Sequence, residues 1–275
     1  VSPRVGFSWD VLGDNSLKFR GGTGLFSGRL PLVFFTNMPT NSGMVQYQAK
    51  LNGDGKNGGT KTDMSQFAGG LLKREELLDK LLKMGYPNTI SPADGTVPSE
   101  ISAVAPNSKM PQVWTTSLAI DYTFPTSFPF SISAEGIYNK TVNGVILRDW
   151  SVKSADGFAR LNGADNRPIY QDYQKQYMVW SDKEQKLVSE NLPSAYVLEN
   201  TNKGYGYSGT FTVNMRPIPE LSLMAAYTHT VSKEITGMPG SNASSVLNYM
   251  GTVYGPNDPG LHNSQYVTPD RVIAS

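Results

Sequence analysis

Two arms of alternating residues flank a short turn in YGYSGTFTVNMRPIPELSLMAAYTHT, residues 205–230. In the first arm Tyr205, Tyr207, Phe211, Val213 and Met215 fall on odd positions, with Gly206, Ser208, Thr210, Thr212 and Asn214 between them. Leu221, Leu223, Ala225 and Tyr227 repeat the pattern in the second arm. A period of two belongs to a strand with one apolar and one polar face. The two arms around residues 216–220 therefore predict a hairpin.

Four earlier segments share this parity. Val5, Phe7, Trp9 and Val11 mark the first. Leu17, Phe19 and Leu25 mark the second, with Lys18, Arg20 and Gly22 between them. Trp114, Leu118, Ile120, Tyr122 and Phe124 mark the third, and Phe128, Phe130, Ile132, Ala134 and Tyr138 the fourth. A seventh strand begins near Arg271. Turns at 12–15, 125–127 and 216–220 alternate with connections of about 80, 60 and 35 residues, whereas loops beyond ~15 residues are uncommon in compact soluble domains. Short turns on one side and long loops on the other are the rule in outer-membrane barrels. A soluble β-sandwich alternates equally well, but it does not explain that rhythm.

Strand length agrees. An 11-residue strand over 205–215 spans roughly 36 Å at ~3.3 Å per residue. Tilted by ~40°, it rises roughly 28 Å, close to the ~25 Å apolar band of such barrels. Trp114, Tyr138, Tyr205, Tyr207 and Tyr227 are expected near the long-loop interface, and Phe124, Phe128 and Phe130 near the short-turn interface, where aromatic rings collect. No run of 18 apolar residues predicts a transmembrane helix, a test to which strands are blind. Charged residues are 17% of the 275, below the ~25% of ordinary soluble domains. With 24 basic and 23 acidic residues, nothing suggests a nucleic-acid surface. Cysteine is absent, which excludes disulfides and thiolate metal sites. The chain opens on VSPRVGF and stops on TPDRVIAS, both strand-like, and is expected to be an internal piece of a longer protein.

The expected fold is an all-β, antiparallel transmembrane barrel fragment, with residues 1–275 forming part of one barrel domain. Phe7, Trp9, Phe19, Leu118, Ile120, Phe130, Ile132, Phe211, Val213 and Leu223 are the lipid-facing candidates. Asp10, Lys18, Arg20, Asp121, Glu135, Thr210, Thr212 and Asn214 are the lumen-facing candidates. Folding the first hairpin about Gly13-Asp14-Asn15 places Asp10 opposite Lys18 and Ser8 opposite Arg20, and the former pair should attract. The wall charges are read as hydrated groups paired with neighbours, rather than as contacts to a plug or solute.

Other motifs carry less chemistry. His229 and His262 sit in no zinc pattern. RGGTGLFSG matches neither phosphate-binding fingerprint, and its glycines are expected to permit close strand packing or to mark a bulge. LNGDGKNGG, residues 51–59, lacks the acidic ligand of a calcium loop and is read as a loop tip. GLLKREELLDKLLKMG, residues 70–85, predicts one helix in the longest loop. Leu71, Leu72, Leu77, Leu78, Leu81 and Leu82 form its stripe, and Gly85 its stop. That helix is expected to fold its own loop rather than to dock a partner. No catalytic, cofactor or metal constellation is predicted.

SPRVGFSWDVLGDNSLKFRGGTGLFSGRLP closely resembles the mid-barrel segment of TonB-dependent outer-membrane receptors of the Bacteroidetes, nearest the Oar-like subgroup that carries a carboxypeptidase-regulatory-like domain. The matching residues are Pro3, Arg4, Gly6, Phe7, Arg20-Gly21-Gly22, Gly24, Phe26, Gly28-Arg29 and Pro31. ENTNKGYGYSGTFTVN, AYTHTVSKE and TPDRVIAS resemble later strands in order, although the family often has His where Asp270 stands. The resemblance touches the strands and hardly the loops. It implies a 22-stranded barrel with an N-terminal plug, driven through TonB; six full strands and the start of a seventh cannot close it.

The leading expectation is a piece of an outer-membrane importer for a large solute such as a glycan, peptide or metal chelate. Outer-membrane lipid, TonB reached through the plug, and a surface lipoprotein are the expected partners. The alternatives are a non-transporting barrel with an adhesive or assembly role, and a soluble β-domain. An enzyme is the least expected.

Overall fold

The alternating segments form strands, and their neighbours pair as the short turns require. A computed structural model describes residues 2–30, 32–36, 38–39, 41–44, 46–47, 50–56, 59–67, 73–89, 91, 95, 100–164, 166–170, 172–238, 240, 242–249, 257 and 259–275. In chain order the first strands are β1 (Arg4–Asp10), β2 (Leu17–Ser27), β3 (Leu51–Asn52), β4 (Thr60–Lys61) and β5 (Glu100–Val104). There follow β6 (Gln112–Thr123), β7 (Phe130–Asp149), β8 (Gln176–Ser181), β9 (Lys186–Asn191) and β10 (Ser194–Thr201). The last are β11 (Tyr205–Ile218), β12 (Leu221–Glu234), β13 (His262–Asn263) and β14 (Asp270–Ala274). Among the described residues the α-helices are α1 (Val33–Thr36), α2 (Arg74–Lys83) and α3 (Ala243–Tyr249). No described helix is long and apolar enough to cross a membrane.

The chain divides into two units, 1–40 with 102–275, and 41–101. In the first, β1-β2-β6-β7-β11-β12 form an antiparallel path, and β12 also pairs with β13 and β14. The path is open among the described residues, with β1 at one end and both β13 and β14, each paired with β12, at the other. The six long strands and the start of a seventh are those expected from parity.

Directly opposed residues share a face of a sheet, so the register fixes both faces. One row runs Trp9–Phe19–Ile120–Ala134–Phe211–Tyr227–Val272. The rung beside it runs Phe7–Gly21–Leu118–Gly136–Gly209–His229–Asp270. β2 needs glycine at 21 because a Cβ there would lie 2.7 Å from the Ser117 carbonyl oxygen and 3.0 Å from the Phe7 ring. Neither pairing of β2 shows a register shift. Of the two expectations for this glycine run, close packing is what the strand uses.

The turns differ in detail from expectation. Asp10 does stand opposite Lys18, and Ser8 opposite Arg20. The Asp10 carboxylate nevertheless forms no ion pair with Lys18; it accepts from the Gly13 and Asn15 amides at 3.1 and 2.8 Å. Two turn amides with no strand partner hold it more firmly than a solvated ammonium does. In the same turn, the Ser16 hydroxyl donates to Asp14 at 2.5 Å and holds that carboxyl below its ordinary range. The third turn is tighter than the expected five residues. Ile218 pairs with Leu221 after a register shift past Met215, and the Arg216 guanidinium donates to the Pro219 carbonyl.

β7 runs far past its alternating segment. Its first part pairs with β6 and β11, while Gly144–Asp149 pairs with β10 instead. Here the unit has its packed core: Phe34 of α1, Leu147, Leu198 and Val246 of α3, with Leu30, Val104, Val145, Met238, Ala243 and Leu247 against them. Asp149 ties the connections together. Its Oδ1 accepts from the Ser151 amide and hydroxyl and from the Ala195 amide, at 2.9, 2.6 and 2.9 Å. The Asn257 side chain bonds both the N–H and the C=O of Asp149, at 2.8 and 2.7 Å, much as a neighbouring strand would.

The second unit holds α2, β3 and β4. The Lys73 amide donates to Glu76 at 3.3 Å, one half of a capping box. The helix ends in a Schellman motif, with Gly85 at φ +89° donating to Leu82 O and Tyr86 donating to Leu81 O. The predicted stop is thus the observed one. Residues 70–72 of the expected helix lie outside the described residues. In the glycine-rich loop the Asn52 oxygen accepts from Gly55, its amide donates to Lys56 O, and Asp54 accepts from Lys56. These side chains hold the loop's own backbone.

Candidate functional site

The long sheet carries two chemically distinct faces. Phe7, Trp9, Phe19, Leu118, Ile120, Phe130, Ile132, Phe211, Val213 and Leu223 share one face by register. The same pairings put Asp10, Lys18, Arg20, Asp121, Glu135, Thr210, Thr212 and Asn214 on the opposite one. The apolar face is not packed against protein: Phe7, Leu118 and Phe211 are 54%, 52% and 47% exposed.

Its polar groups find local partners. Thr23 and Thr116 join hydroxyls at 2.7 Å. The Tyr227 hydroxyl donates to Asp270 Oδ1 at 2.7 Å, and His229 Nδ1 lies 2.8 Å from the same oxygen. The expectation that Tyr227 sits at the long-loop interface is corrected here, since it pairs with Phe211 in the middle of the strands. A phenol bonded to a carboxylate does not need interfacial water. Parity alone did not expose this Tyr227–Asp270–His229 group, because its members belong to two strands joined only by register.

The polar face divides in two. Across β2, β6 and β7 it is charged. Arg20 Nε lies 2.8 Å from Asp121, a guanidinium Nη lies 3.3 Å from Glu135, and Ser133 donates its hydroxyl to Asp121 at 2.5 Å. These are the neighbour pairings expected of wall charges. Across β11 and β12 the face carries hydroxyls and amides, Ser208, Thr210, Thr212, Asn214, Thr228, Thr230 and Ser232 among them. Thr210 and Thr228 meet at 3.0 Å.

Beyond the sheet, β8 and β9 form a separate hairpin in which Trp180 opposes Leu187 and Met178 opposes Ser189. Met178, Trp180 and Leu187 are largely exposed. QYMVWS is a short continuous apolar run between polar ends rather than an alternating one, so parity did not mark it. Among the described residues no cluster of His, Asp and Glu could hold a metal ion.

An antiparallel sheet with one exposed apolar face and one ion-paired, hydroxyl-rich face suits a wall between hydrocarbon and water. No curated protein and no solved structure gives a match to this chain. A family model described as an outer membrane beta barrel domain matches residues 1–275. That match places the chain in the outer membrane, where a barrel wall touches lipid. The chain belongs to the outer membrane β-barrel domain family.

Proposed function

We propose that this chain is part of a TonB-dependent active importer of the outer membrane, of the Oar-like kind found in the Bacteroidetes. The apolar face, with Phe7, Phe211 and their row neighbours, meets lipid. The polar face, with Arg20, Asp121, Glu135, Thr210, Thr212 and Asn214, lines the lumen. The long connections lie outside the cell and receive a large solute. An N-terminal plug, contacted by TonB, gates the lumen, and a surface lipoprotein assists capture. No catalytic step is assigned to any residue.

The observation that carries this reading is the ion cluster on the polar face. An arginine shared by two carboxylates, all three partly exposed, belongs beside water rather than inside a dry barrel. The resemblance of residues 3–31 to the receptor family supports the same reading. A barrel with an adhesive role is the second reading, and the exposed Met178, Trp180 and Leu187 of the β8–β9 hairpin favour it.

Uptake decides between them. Cells carrying the whole protein should accumulate its solute only while TonB is present and the inner membrane is energised. Solute binding without TonB-dependent accumulation would leave the adhesive reading. Protease added to whole cells should cut within 41–101 and spare the turn at Pro219-Glu220; the reverse pattern would invert the topology.

A further inference from the structure

At the long-loop end of the sheet, one rung of the apolar face carries charge. Register aligns Trp114, Lys140, Tyr205 and Lys233 across β6, β7, β11 and β12. The rung below it on the same face holds Tyr138, Tyr207 and Val231. Two ammonium groups thus stand above a pair of aromatic rings, on the face that otherwise offers mainly apolar side chains. β7, β11 and β12 are each paired on both sides, and Lys233 itself stands opposite Asn263 of β13. The two lysines therefore lie inside the sheet and not at an edge.

Depth follows from the strand. Phe130, at the short-turn end, and Lys140 share one face of β7, separated by roughly 34 Å at ~3.4 Å per residue. Tilted by ~40°, that is a rise of roughly 26 Å, close to the ~25 Å apolar band. The lysine rung falls at the edge of the hydrocarbon, where a lysine costs little and headgroups begin. Neither ammonium is neutralised. Lys140 Nζ donates to the Asn202 and Gly204 carbonyls at 3.0 and 3.4 Å, which leaves one N–H free. Lys233 has no side-chain hydrogen bond or ion pair among the described residues, and neither has the Tyr205 hydroxyl between them. No acidic side chain stands on either rung among the described residues.

We infer that Lys140, Tyr205 and Lys233 bind the phosphate of a phosphorylated glycolipid in the outer leaflet. Neighbouring strands stand ~4.8 Å apart, so the two lysines are ~10 Å apart across Tyr205. Their flexible stems can bring both ammonium groups to one phosphate, with the phenol as a further donor. Lysine binds phosphate as a point charge, and an anionic membrane surface attracts each such charge. Trp114, Tyr138 and Tyr207 lie beside the sugar and the upper acyl chains, as interfacial rings do. A zwitterionic headgroup suits the site less, because no carboxylate stands by to receive its ammonium. The inference rests on the reading that this face meets lipid and that the long connections lie outside the cell; it does not need transport.

The test is native mass spectrometry of the whole detergent-purified protein titrated with lipid A, with dephosphorylated lipid A and with inorganic phosphate. Lipid A should bind most tightly. Lys140→Gln and Lys233→Gln should each weaken it by about fivefold, and together by about 30-fold, the effect of removing one or two charges at an anionic surface. Lys140→Arg with Lys233→Arg should keep most of the binding, and Lys18→Gln, on the opposite face, should leave it unchanged. Gel mobility with and without heating checks that each variant is an assembled barrel. The assignment fails if dephosphorylated lipid A or inorganic phosphate binds as tightly as lipid A. It also fails if the assembled double glutamine variant stays within about twofold of the parent, or if Lys18→Gln weakens binding as much. TonB-dependent uptake and the protease pattern of outer loops, found without phosphate-selective binding, would remove this site and keep the reading it rests on. Phosphate-selective binding without TonB-dependent uptake would keep the site and remove the importer.

Discussion

The long sheet and the packed roots of its loops solve the same problem against different solvents. In the sheet, Phe7, Leu118 and Phe211 are about half exposed and wait for hydrocarbon. At the loop roots, Leu147, Leu198 and Val246 are at most 2% exposed and form an ordinary protein core. Both regions are built largely of β-strand, and β7 passes through both. The difference lies in what covers the apolar side chains. Lipid covers one face of a sheet and leaves alternation in the sequence. Protein covers both faces and permits runs such as Val145-Ile146-Leu147.

The comparison can be broken at several points. Leu198→Ala should open the loop-root core at a cost of about 2–5 kcal/mol. Hydrogen exchange should rise along the end of β7 and β10 while the membrane strands stay protected. Loss of protection everywhere would show the two regions to be one cooperative unit. Phe211→Lys, at mid-strand on the apolar face, should destabilise the assembled barrel by about 2–4 kcal/mol. Thr210→Lys should cost much less, and equal costs in a reversible unfolding titration would refute the face assignment. Gly21→Ala forces a Cβ against the Ser117 carbonyl and should cost about 1–3 kcal/mol, read in the same titration. Leu223→Lys is the smallest. It shares the face of Phe211 but lies two residues into β12, near the turn. There a lysine reaches the interface, at about 0–1 kcal/mol. A cost matching that of Phe211→Lys would mean the short-turn end is buried more deeply than the strand lengths imply.

Much of the sheet was legible because lipid writes period two into a strand. Folding the first hairpin about Gly13-Asp14-Asn15 even gave its register, since a short turn leaves few choices. The loop roots were not legible. Thr141 to Asp149 mixes polar residues with a buried apolar run, so no period marks it, and β10 has Val197 and Leu198 buried side by side. Their pairing depends on a long-range meeting that local text does not encode. The fate of single polar groups was hidden for a related reason. The Asp10 carboxylate chose turn amides over Lys18, and Tyr227 found Asp270 across a strand pair. Parity says which face a side chain takes, not which partner it meets.

The length of β7 bears on how such a wall assembles correctly. Sliding a strand by one residue exchanges its two faces, and by two residues keeps them, so alternation alone cannot detect a two-residue error. β7 carries a second reading of its own position. Leu147 fits its core only when Leu198 stands directly opposite and Asp149 meets the Ala195 amide of the neighbouring segment. A two-residue slip would pass unnoticed in the bilayer and would pull Asp149 away from the Ala195 amide and Leu147 away from Leu198. The water-facing end of the strand thus acts as a proofreader for the lipid-facing end, rejecting shifts that hydrocarbon would tolerate.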